Sequence, residues 1–167
     1  MAIPHRGYTR LGETYFVTAN SIDQKRLLQS QRMASLLVEV IFHYRAQEHY
    51  LLHEFVVMPN HLHLLLTPKM SKLEKCMQLV KGNFSYRARK ELSFMWSIWQ
   101  GSYYDRRVRT PEEYGADKKY IHLNPVEAGL CQQPEDWPYS SASIRESLSE
   151  TPLGLKPHYL GMASSQG

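Results

Sequence analysis

"YLLHEFVVMPNHLHLLLTP", residues 50–68, contains two apolar runs separated by the turn residues Pro59 and Asn60. Runs of this length and composition, interrupted by turn formers, predict an antiparallel hairpin with strands over 50–58 and 61–67. Successive side chains on a strand alternate faces, so His61 and His63 share one face while Leu62, Leu64 and Leu66 share the other. The leucines belong under helices, which leaves two imidazoles together on the face those helices do not cover.

The elements on either side complete the architecture. "ETYFVTANS" (13–21) has the β-branched and aromatic density of a strand. Ser30 is a candidate N-cap for a helix whose stripe is Met33, Leu37, Val40, Ile41 and Tyr44. Ser71 and Glu74 have capping-box spacing at the head of a helix whose stripe is Leu73, Met77, Val80 and Phe84. "WSIWQGSYYDRRVR" (96–109) predicts a strand or an irregular edge segment. Thr110, Pro111 and Glu113 open a further helix, expected to end at Asn124 because Pro125 follows, with one more turn stopped by Gly129. The order β-α-β-β-α-β is that of a ferredoxin-like (RRM-like) antiparallel sheet in an α+β protein, with an added C-terminal helix on or beside the other face. A single domain is expected over 1–150 and an irregular tail over 151–167.

The chain has 167 residues, a net charge of +4 and 43% hydrophobic residues. No apolar run is long enough to cross a bilayer, and the N-terminus has no apolar signal core, so no membrane partner is expected. Cys76 and Cys131 lack metal-type spacing and read as apolar fillers, consistent with a reducing, cytoplasmic setting. The basic residues concentrate between Lys69 and Arg109, interleaved with Phe84, Tyr86, Trp96, Trp99, Tyr103 and Tyr104. Cations for phosphates and flat rings for bases suit single-stranded nucleic acid. A solvated helix face over core aromatics is the plainer reading of the same pattern.

Two histidines do not complete a metal site. Tyr120 and Asn124 stand at i and i+4 of the last helix and share one of its faces. If that helix covers the open face of the sheet, the Asn124 carboxamide oxygen can join His61 and His63 around one cation, with the Tyr120 phenol beside it. A divalent cation there would assist a phenol as nucleophile and offset charge on a phosphodiester. On the plainer reading Tyr120 is a core aromatic and Asn124 a helix terminator. Tyr114 projects to another side of the helix, Tyr103 and Tyr104 suit stacking or packing, and His122 is a weak ligand candidate.

The segments "MPNHLHLLLTP", "WQGSYYDRRVR", "KKYIHLNPVEAGL" and "PEDWPYSSAS", in that order, resemble the single-tyrosine HUH transposases of the insertion-sequence 200 type, and within them the REP-associated tyrosine transposases. The resemblance runs from about "RLGETYFVT" to "WPYSSAS". It implies that His61 and His63 are the HUH pair, Asn124 the third metal ligand and Tyr120 the nucleophile. It further implies Mg²⁺- or Mn²⁺-dependent attack on single-stranded DNA, a 5′-phosphotyrosine link with a free 3′-hydroxyl, and hairpin-forming repeats as substrates. A monomer is implied rather than a dimer. One departure is Arg106, where relatives often carry histidine. Phosphate contacts are expected from Arg6, Arg10, Lys69, Lys72, Lys81, Arg87 and Lys90, and from Arg107 or Arg109. The competing function is a sequence- or hairpin-specific DNA-binding protein that does not cut. A weaker third is a zinc-stabilised RNA binder, against which stands the lack of a four-ligand set.

Overall fold

The computed structural model describes residues 9–146 and 148–157; Arg6 and the end of the tail, 158–167, lie outside the described residues. The elements in chain order are β1 (Thr14–Asn20), α1 (Gln31–Ala46), β2 (Tyr50–Met58), β3 (His61–Pro68), α2 (Leu73–Leu92), β4 (Tyr104–Val108) and α3 (Pro111–Glu127). The sheet order is β2-β3-β1-β4 with every neighbouring pair antiparallel, the expected ferredoxin-like arrangement plus one helix.

The helices α1 and α2 cover one face. Val17, Leu62, Leu64 and Leu66 from the sheet meet Leu37, Val40 and Ile41 from α1 and Met77, Val80 and Phe84 from α2, all of them fully buried. Each buried leucine contributes about 1.5–3 kcal/mol relative to exposure, so this face sets the register. A slip of one residue would drive His61 and His63 into the helical core. The Ser30 hydroxyl accepts from the Met33 N–H and starts α1 as expected. The opposite face packs Val56, Met58, Leu65 and Val108 against Tyr114 and Ile121 of α3.

Two local expectations are corrected. Ser71 does not cap α2: Lys72 is the N-cap residue without a side-chain cap bond, and the Ser71 hydroxyl is 2.8 Å from His49 Nδ1. Both Glu74 oxygens meanwhile accept from the Thr9 hydroxyl. A partner distant in sequence outcompetes the local cap.

Nor does Pro125 end α3. The helix runs through it to Glu127, and Gly129, at φ 73°, closes it. Gly129 N–H bonds the Val126 carbonyl and Leu130 N–H bonds the Pro125 carbonyl, both at 2.9 Å. This is a Schellman closure, in which a left-handed glycine lets the chain turn back onto its own last carbonyls. It offsets the backbone bond that proline cannot make, and it leaves Asn124 inside the helix, one turn from Tyr120.

The described part of the tail holds a short 3-10 turn, Leu153–Leu155, and Leu155 packs with Val108 and Tyr114. Among the described residues, no helix is long and apolar enough to cross a membrane.

Candidate functional site

Strand pairing arranges the face under α3 in rows. Val56, His63, Thr18 and Tyr104 form one row, and Glu54, Leu65, Phe16 and Arg106 the next. His61 sits at the start of β3, paired with Asn20 and Met58. The His61 and His63 ring centroids are 4.7 Å apart, as same-face neighbours on a strand require.

The hydrogen bonds determine which ring nitrogens are free. Asn60 Nδ2 donates to Gln24, so Asn60 Oδ1 is the atom facing His61 Nδ1 at 2.7 Å, and that nitrogen carries the proton. His61 Nε2 is left with a lone pair, 3.2 Å from Asn124 Oδ1, so that two acceptors face one another. His63 Nδ1 is 2.9 Å from Thr18 Oγ1, while its buried Nε2 has no partner. Burial lowers the pKa of both rings, with His63 pushed down to about 3, helped by His61 beside it. A His61 lone pair and a carboxamide oxygen thus face one another beside a second imidazole whose buried nitrogen has no partner. A divalent cation is the group that such a set fits. Among the described residues no cluster of three His, Cys, Asp or Glu offers an alternative centre.

Tyr120 stands against this set. Its ring meets His63 edge-on at 5.3 Å and Phe16 at 6.0 Å, and it is 49% exposed, so its hydroxyl is within reach of a substrate. The other tyrosines differ in surroundings. Tyr114 is buried against His53, which pushes its phenol up to about 12. Burial raises Tyr103 too, and exposed Tyr86 lies on α2 beneath Lys90. Next to the His61–Asn124 edge opens a cavity of about 340 Å³, bordered by Arg26 and Glu127. A larger one of about 460 Å³ lies across the sheet, between α2 and residues 99–103. His61 and Asn124 line the smaller cavity.

What aims Tyr120 is a buried ionic anchor. A bulge between Leu52 and Glu54 turns Glu54 toward α3. There its carboxylate meets His122 Nε2 at 2.7 Å and Lys118 Nζ at 3.3 Å. These partners, one on either side of Tyr120, hold the helix azimuth. The Glu54 carboxyl is held below its ordinary range by His122, Ser141 and Lys118 despite the opposing effect of burial. His122 is thus an anchor and not a ligand. Nothing local in the sequence marks this pairing, because the bulge that permits it breaks strand alternation.

The expected phosphate contacts do not gather here. Lys81, Arg87 and Lys90 belong to α2, across the sheet from Tyr120. Arg87 is held by Glu39 and Glu91, Lys69 by Glu48, and Lys81 lies over Trp99 and Tyr103. Lys72 precedes α2, and Arg10 donates its backbone N–H to Tyr15. Arg107 points to the α1–α2 side and pairs with Glu13 at 2.9 Å, while the backbone N–H of Arg109 bonds Glu113. Of the described strand residues, the arginine on the face of the histidines is Arg106, which the β1–β4 register places beside Phe16.

These buried rings give a stability prediction. His53, His61 and His63 all have folded pKa values depressed by burial, so the unfolded chain takes up protons first as pH falls. Stability is full above about pH 6.5 and declines below it, by up to about 1.4 kcal/mol per pH unit for each ring kept neutral. Urea unfolding of metal-free protein between pH 8 and 4 should show the midpoint falling from pH 6.5 downward, and less steeply in His63→Asn. A midpoint constant from pH 7 to 5 would contradict it.

Known proteins resemble the chain over most of its length. The chain is 26% identical to the REP-associated tyrosine transposase of Escherichia coli K12, covering 82% of this chain and 81% of that protein. It is 27% identical to a Haemophilus influenzae protein of corresponding designation, covering 81% and 82%. In fold it matches a solved REP-associated tyrosine transposase bound to a REP hairpin, with TM-score 0.71 and 23% identity over 95% of this chain and 96% of the other. Residues 14–124, from β1 to Asn124, match the family described as IS200-like transposases, and the chain belongs to that family of enzymes acting on DNA.

Proposed function

We propose that the chain is a metal-dependent single-stranded DNA endonuclease and strand transferase with Tyr120 as nucleophile. The observation that carries this reading is the partnerless, buried Nε2 of His63, whose ring lies 4.7 Å from that of His61, itself facing Asn124 Oδ1, and 5.3 Å from the ring of Tyr120. His61, His63 and Asn124 would hold Mg²⁺ or Mn²⁺, the oxygen donor and open surroundings suiting a cation that keeps water and phosphate ligands. When bound, the cation polarises the phosphodiester and eases ionisation of the phenol.

The chain's own residues do the rest. Tyr120 Oη attacks phosphorus and forms a 5′-phosphotyrosine bond. The P–O3′ bond breaks and its electron pair leaves with the 3′ oxygen, which takes up a proton. The phenol proton passes to solvent. In the reverse sense, a 3′-hydroxyl attacks the phosphotyrosine and rejoins the strand. The solved relative bound to a REP hairpin supports hairpin-forming, REP-like DNA as substrate. We propose further that the chain acts as a monomer, in the cytoplasm, with the basic residues of α2 and of the loops flanking the sheet attracting the rest of the DNA.

Incubating the protein with a labelled single-stranded hairpin and Mg²⁺ or Mn²⁺, then resolving it under denaturing conditions, tests the proposal. A covalent protein–DNA band with a free 3′-hydroxyl fragment is expected, and chelation by EDTA should remove both. Tight hairpin binding without an adduct, across a panel of hairpins and both metals, would replace it with the binding-only function.

A further inference from the structure

Strand alternation assigns Thr14, Phe16, Thr18, Leu65, Thr67, Val56, Met58, Tyr104 and Val108 to the face under α3, together with the two histidines, Glu54 and Arg106. Arg106 is the one permanently cationic side chain that the described strands place there. Its guanidinium lies 5.4 Å from the centroid of Phe16. The same ring contacts His63 at 5.1 Å and Tyr120 at 6.0 Å, so one phenylalanine separates the cation from both. Arg106 Nη2 is held at 2.6 Å by Asp117 Oδ1, one turn before Tyr120 on α3.

This ion pair is lopsided. Asp117 is only 7% exposed and its second oxygen, Oδ2, is buried without a hydrogen-bond partner, whereas the Arg106 side chain is 52% exposed. A pair built only to tie β4 to α3 gains little from a half-exposed arginine and loses by stranding a carboxylate oxygen. A pair built to fix one edge of a guanidinium and leave the other edge open has this form. The planar fork of arginine suits bidentate contact with phosphate oxygens.

We infer that Arg106 is a catalytic residue that contacts a non-bridging oxygen of the phosphodiester attacked by Tyr120, and that Asp117 positions it there. This rests on the proposed nuclease function. As Tyr120 Oη bonds to phosphorus and before the P–O3′ bond breaks, the phosphorane carries two negative charges where the ground-state diester carries one. Arg106 offsets the added charge from the side away from His61 and Asn124.

The test compares adduct formation by wild type, Arg106→Ala, Arg106→Lys and Asp117→Asn on a normal hairpin and on one with a methylphosphonate at the cleaved linkage. That linkage is mapped first with wild type, and hairpin binding and thermal unfolding are measured alongside. On normal DNA, Arg106→Ala should form adduct on the order of 100-fold more slowly with hairpin affinity little changed. Arg106→Lys should fall between it and wild type, and Asp117→Asn should lower the maximal rate more than the affinity.

Methylphosphonate removes one oxygen charge, so it should slow wild type and close most of the gap to Arg106→Ala. A structural role would not be rescued in this way. An unchanged rate in Arg106→Ala, or a loss that methylphosphonate does not narrow in folded, hairpin-binding protein, overturns the inference. Should Arg106→Ala unfold, Arg106→Lys carries the same comparison. Absence of an adduct in wild type removes the nuclease function itself, and the role of Arg106 with it.

Discussion

Tyr120→Phe should bind a hairpin as wild type does and form no covalent adduct with it. The substitution removes one oxygen and leaves the ring that packs against His63 and Phe16, so neither fold nor neighbouring side chains have reason to move. Loss of the attacking atom is a total loss of its reaction, with any remaining cleavage limited to slow attack by water. Tyr104 shares the face of the histidines but stands on β4, with Thr18 of β1 between it and His63. Tyr114 is buried against His53 nearer the start of α3, and Tyr103 points toward α2. An adduct that persists in Tyr120→Phe at a comparable rate would move the nucleophile elsewhere, and peptide mapping of the linked residue would locate it.

The second large effect is expected from His63→Ala. Removing one of the three proposed metal ligands should cost several kcal/mol of transition-state stabilisation, or roughly a thousand-fold in rate at about 1.4 kcal/mol per tenfold. The readout separates this from damage to the fold. In wild type, millimolar Mn²⁺ should raise the thermal midpoint, because a ligand that binds only the folded state stabilises it. In His63→Ala that shift should vanish, while the metal-free midpoint changes far less, since the lost imidazole has an unsatisfied buried nitrogen. An Mn²⁺-dependent shift of equal size in the variant would place the cation away from His63.

The parts of this site legible in the sequence follow a short period. His61 and His63 share a face because strand side chains alternate, and Tyr120 and Asn124 do so because helices repeat near four residues. The parts that were not legible depend on partners far along the chain. Ser71 reads as a cap until His49 claims its hydroxyl, and Pro125 reads as a stop until Gly129 and Leu130 close the helix beyond it. Among the consecutive arginines of β4, only the register against Phe16 distinguishes Arg106 from Arg107. The Glu54 anchor depends on the bulge beside it, an irregularity with no mark in local composition.

That anchor bears on how broken strands would be exchanged. Lys118 and His122 tie α3 to Glu54 on either side of Tyr120, so the tyrosine is carried on a stiff arm, not on a hinge. With Tyr120 as the proposed nucleophile, a DNA end joined to it would not be ferried to another location by the helix. Whatever 3′ end completed the proposed reaction would have to travel to the tyrosine, and the choice between resealing the original strand and joining a new one would pass to the flexibility and length of the DNA itself.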